Sequence, residues 1–277
     1  MTAESQSASY QPVSRPQAVP ARTSAPSRPR SDLLPTIVVS LGLVAAIQIV
    51  SWFVPPYIIP APIDILKATG RILSGDLSHI GITALRLLIA VTFAITTGVL
   101  LGVVMGTQPR LRPYLRSLVI IDTGIPALSW MLVAIFWFKD SEVRIFFILS
   151  VILIPFYALN VYDGIRALPK ELIDMFESFR PNRWHMMRFL IGPHIVPYIF
   201  LTTKSVIGYA IRMVIFAELV ASAVGIGARM NLAQSTFHID TIFAWTLLLV
   251  IINLTLQAAV AALEKIVLRY RPEATIR

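Results

Sequence analysis

The sequence predicts an all-α integral membrane protein of six transmembrane helices, with a short amphipathic helix on the cytoplasmic side between the fourth and fifth. Three observations predict it. The 277 residues are 56% hydrophobic and 14% charged, with a mean hydropathy of +0.73, far from an average soluble domain. Six apolar runs, at about 34–54, 84–106, 117–138, 145–162, 195–222 and 241–263, are long enough or nearly so to span a bilayer. Positive charge, finally, is sorted between alternate loops.

Residues 1–32 are rich in Ser, Ala, Pro, Gln and Arg. Such a segment buries too little apolar surface to order itself, so a disordered basic cytoplasmic tail is expected. It lacks the early apolar core of a cleavable signal peptide, so the first span is expected to be retained. Residues 33–271 form the membrane domain, with a charged loop at 163–191, and 272–277 form a cytoplasmic C-terminal tail.

With the N-terminus inside, cytoplasmic segments hold 16 Lys and Arg against five on the opposite side, Lys67, Arg71, Lys139, Arg144 and Arg229. The bias predicts both termini, and the 163–191 loop, in the cytoplasm. It also makes the net charge of +9 a matter of topology. No compact basic domain exists to bind nucleic acid.

In the second span Gly98, Gly102 and Gly106 repeat at four-residue spacing, which lets two helix backbones approach closely in lipid. Packing within the bundle and a subunit interface are both open. In the third, Ser129 and Trp130 follow Pro126 and are candidates for a gate in a translocation path. In the fifth, Arg212 and Glu218 are charged at membrane depth, where each asks for a reason. They are six residues apart and do not share a helix face. Arg212 either faces a central cavity and attracts an anionic solute, or pairs with an acid such as Asp122.

Within the 163–191 loop, Leu168, Leu172, Ile173, Phe176 and Phe179 recur at helical spacing among Asp174, Glu177 and several basic residues. An amphipathic helix there has an apolar face that needs something to dock against.

This loop resembles the EAA coupling loop of bacterial ABC importer permeases. Asp174-Met175-Phe176 falls on the Glu-Ala-Ala positions, Trp184 on the Trp, and Pro193 and Pro197 on two prolines. Arg180 stands where the family has Gly. That Gly turns the chain between two short helices, and Pro181 is expected to make the turn here instead. Other stretches are similar to the nitrate, sulfonate, taurine and bicarbonate branch: Ile59-Pro60-Ala61-Pro62, Gly124-Ile125-Pro126-Ala127-Leu128-Ser129-Trp130, Trp137-Phe138, Ala217-Glu218-Leu219 and Gly225-Ile226-Gly227.

The resemblance implies the type I ABC importer permease fold in a bacterial inner membrane. It implies a second permease copy or paralogue, an extracytoplasmic solute-binding protein, and cytoplasmic ATPase subunits that use the ATP. The ATPase-coupling residues it implies are Leu168, Leu172, Asp174, Met175, Phe176, Glu177, Phe179, Arg180 and Pro181. The implied solute is a small anion of nitrate, sulfonate, taurine or bicarbonate type. A neutral or cationic heterocycle such as a vitamin precursor is the alternative within the family.

No phosphate-binding loop occurs, and the four histidines lack metal-ligand spacing. No enzyme, bound cofactor or metal site is expected. A self-contained channel or secondary carrier is the competing class. A carrier is expected to show internal repeats with broken helices, and none is visible.

Overall fold

The computed structural model describes residues 33–269; the expectations for both tails fall outside them. The described residues are mostly helical, with no strand among them. Helix α1 (Leu33–Ser51) is 19 residues long, about 28 Å, and presents Val39, Leu41 and Leu43 outward. The chain divides at Val44–Ala45 into two units, and the helices discussed below lie in the second.

Helix α2 (Pro62–Gly75) begins on a proline, which lacks the N–H that a first turn leaves unbonded. Its Ile65, Ala68 and Ile72 face inward. Helix α3 (Leu77–Thr107) packs along α6 (Ser141–Arg166), and the three glycines make the contact possible. A Cβ at Gly98 would lie 2.5 Å from that of Tyr157, and one at Gly102 2.7 Å from the Ala158 carbonyl. Gly106 rests on Ile165. The stripe therefore serves packing inside one chain, by close approach of backbones.

Apolar on all sides, α6 is the helix the others surround, with Ile145, Ile148, Leu149, Leu153 and Tyr157 almost wholly buried. Asp140 caps it by accepting from the amides of Glu142 and Val143.

The expected third span is broken. Helices α4 (Arg112–Gly124) and α5 (Ala127–Trp137) meet at 96°. Pro126 has no N–H for the carbonyl of Asp122, and it holds Ile125 extended at φ −86°, ψ 125°. Two further helices, α7 (Lys170–Ser178) and α8 (Arg183–His185), lead into a π-helical turn at Met186–Ile191 and then α9 (Gly192–Ala221). In that turn Gly192 N–H donates to the Met187 carbonyl, five residues back. Pro193 and Pro197 cannot make the ordinary helical bonds that follow.

Helix α10 (Ile226–Ser235) is short, and α11 (Ile239–Val267) ends the described chain. Among the described residues, four helical segments are long and apolar enough to cross a membrane: α3, α6, Arg183–Ala221 and α11. The bent α4–α5 pair makes a fifth if taken as one span. The expected count of six is not confirmed by these lengths. The third run is interrupted, and the apolar length of the first, Ile37–Ser51, is short for a span.

Candidate docking and translocation sites

Helix α7 hangs between α6 and α9 and has apolar residues on two sides. Leu168, just before it, is buried with Val161 of α6, Ile191 of the π-helical turn and Ile195 of α9, and Ile173 packs against this cluster. Phe176 is half-buried. Leu172, Met175 and Phe179, at spacings of three and four, point the other way and are 41%, 54% and 78% exposed. Lys170, Glu171, Asp174, Glu177 and Ser178 are exposed around them. One apolar side thus fixes α7 to the bundle, and the other offers a stripe to a partner.

The turn after α7 is made by Arg180 itself, with φ +47°. Arg180 N–H donates to the Glu177 carbonyl at 2.9 Å, a left-handed helix stop that usually falls to glycine. Pro181 has no N–H to complete the second bond of such a stop. The expectation that Pro181 makes the turn is therefore corrected: the left-handed residue sits at the glycine position, and Pro181 follows it. An arginine there carries strain of about 1 kcal/mol. Arg180→Gly is expected to be tolerated and to raise stability by up to about 1 kcal/mol. Thermal unfolding of the two proteins in the same detergent checks this. A destabilised Arg180→Gly would mean that the guanidinium makes contacts worth more than the strain.

Among the candidates for a path, Glu218 belongs elsewhere. It is fully buried and bound on several sides within one chain. It accepts from Thr83 Oγ1 at 2.8 Å, Arg86 Nη1 at 2.8 Å and the Gly227 amide at 2.9 Å. Thr83 Oγ1 in turn accepts from the Ile226 amide at 3.0 Å, and His79 Nδ1 from the Gly225 amide at 3.1 Å. The first amides of α10 are thus capped by side chains of α3 and α9, as an unbonded helix start requires. Gly225, at φ +123°, lies so close that a Cβ would be 2.4 Å from the Glu218 carboxylate. Arg86 also donates to the Val224 carbonyl at 2.7 Å and holds Glu142 in a two-point pair. This knot ties α3, α6, α9 and α10 at one end of the bundle. Arg71–Asp240 and Arg229–Asp76 pairs surround it.

The sequence reading missed Arg86 and Thr83 as partners of Glu218, although the Glu218 and Gly225-Ile226-Gly227 segments were singled out. The remaining path candidates lie apart from the knot. Ser129 is exposed on α5 and Trp130 half-buried beside Asp122. Arg212 is exposed on one row of α9 with Ser205, Phe216 and Val220. The weighed pair with Asp122 is not formed, and Arg212 makes no ion pair among the described residues. Lys204, by contrast, is paired with Glu264 of α11.

The profile of a family described as "Binding-protein-dependent transport system inner membrane component" matches residues 94–269. The riboflavin transport system permease protein RibX of Chloroflexus aurantiacus is 28% identical over 160 residues, 58% of this chain and 60% of that protein. The aliphatic sulfonates transport permease protein SsuC of Escherichia coli, a name given as putative, is 28% identical over 237 residues, 84% of this chain and 90% of that one. In three dimensions the chain is similar to an inward-facing structure of the MetNI methionine ABC transporter. The TM-score is 0.62 at 17% identity, covering 71% of this chain and 98% of that chain. The likeness is one of fold.

Proposed function

The chain belongs to the family of binding-protein-dependent transport system inner membrane components, and from that membership we propose that it is the permease subunit of an ATP-driven importer. The observation that carries the proposal is the exposed apolar stripe of Leu172, Met175 and Phe179 on a helix otherwise ringed by charge. The stripe fits a cleft on a cytoplasmic ATPase, which hydrolyses the ATP. The excess of Lys and Arg in the α7 loop puts that loop on the cytoplasmic side of a bacterial plasma membrane.

Coupling follows from how α7 is held. Leu168 and Ile173 join it to α6 and to the start of α9, so a displacement of α7 by a closing ATPase moves both helices. The π-turn and Pro193 and Pro197 give α9 a weak place at which to bend. A second copy or paralogue completes the path, and a solute-binding protein delivers solute at the opposite end. The solute carries an anionic group, which Arg212, without an ion pair among the described residues, attracts.

Reconstitution in liposomes with the ATPase and binding protein tests the reading. Uptake is expected to require ATP and all three components. Gradient-driven uptake by this chain alone would replace the importer with a secondary carrier.

A further inference from the structure

Charges deep in membrane helices are expensive and ordinarily find partners. Arg86 is held by Glu142 and Glu218, and Lys204 by Glu264. Asp122 has no basic partner among the described residues. It lies in the last turn of α4, half-buried, where the span breaks. The side chain that interacts with it is Trp130, whose indole N–H is buried without a well-formed acceptor.

Asp122 and Trp130 line a cavity of about 80 Å³ with Phe156 and Tyr209. The last two rings meet edge to face, with centroids 5.6 Å apart. Asp122 and Trp130 also border an adjoining cleft of about 420 Å³, so the small cavity opens beside a larger one.

A carboxylate among three aromatic rings is suited to an organic ammonium group: the carboxylate balances the charge, and ring faces attract a desolvated cation. A hard metal ion asks for several oxygen ligands, which the cavity lacks. Its volume suits a head group rather than a whole solute, which makes it a subsite. Tyr209 also connects it to Arg212, which makes no ion pair among the described residues. Arg212 is three residues further along α9, about 4.5 Å up the axis.

We infer that the Asp122–Trp130–Phe156–Tyr209 cavity is an ammonium subsite of the solute path, beside Arg212 for the anionic group. The inference rests on the importer reading and narrows its solute to a compound bearing both groups.

Calorimetric titration of the full-length chain in nanodiscs tests it with three probes. Taurine carries an ammonium and a sulfonate, ethanesulfonate the sulfonate alone, and choline the cation alone. Taurine and choline are expected to bind, taurine at least tenfold tighter than ethanesulfonate. Asp122→Asn should weaken both ammonium probes at least tenfold and leave ethanesulfonate unchanged, and Asp122→Glu should recover most of the loss. Tyr209→Leu removes a ring without altering charge and should weaken choline at least threefold, which keeps the test open if Asp122→Asn does not fold. Equal binding of taurine and ethanesulfonate, no binding of either ammonium probe, or ammonium binding unchanged in Asp122→Asn or Tyr209→Leu would each overturn the subsite. Failure of the wild-type chain to associate with an ATPase has a different signature and refutes the importer reading instead.

Discussion

Arg86→Met is expected to destabilise the chain by about 3–5 kcal/mol, the cost of leaving one member of a buried ion pair unpartnered. Glu218, with none of its surface exposed, would keep only Thr83 and the Gly227 amide. Val224 would lose one of two donors to its carbonyl, keeping Ser222 Oγ, and Glu142 would lose its pair. Glu142 contributes less, because its side chain is 59% exposed and screened. Arg86→Lys should recover little, since one ammonium cannot serve the forked contacts to two carboxylates and a carbonyl. Arg86→Met with Glu218→Gln should recover part of the loss, because no buried charge remains at that point. Melting temperatures of the three variants in one detergent check the order. A silent Arg86→Met would mean that apolar packing holds α10 without the knot.

That knot shows what a single sequence conceals. Arg86 and Glu218 are 132 residues apart, and no local periodicity relates them. Their depth in apolar runs was visible, but depth alone does not distinguish a path residue from a buried tie. The helical class, the long α3, α6 and α11 and the amphipathic α7 were legible because each rests on composition or spacing within one segment. Glycine spacing in α3 likewise announced a close contact but not its partner, α6. The break in the third span was less visible. Apolar residues continue on both sides of Ile125, so hydropathy runs through it, and only Pro126 marks the place. At Arg180 residue identity argued against a left-handed turn, whereas the family's glycine at the aligned position pointed to it.

The second large effect is expected at α7. Met175→Asp combined with Phe179→Asp places two charges on the exposed stripe and leaves Leu168, Ile173 and Phe176 on the bundle side untouched. Burying a large apolar side chain against a partner contributes about 1.5–3 kcal/mol. Loss of two therefore weakens ATPase association by about a hundredfold or more. Both side chains are more than half exposed in the chain itself, so its own stability should change by less than about 0.5 kcal/mol.

The most direct test of coupling through α7 is the dissociation constant of the ATPase for the wild-type and doubly substituted chains, measured in the same nanodiscs. The account predicts a rise of at least a hundredfold for the double variant, with an unchanged melting temperature. Wild-type affinity in that variant would contradict it and remove the exposed face of α7 from the ATPase interface.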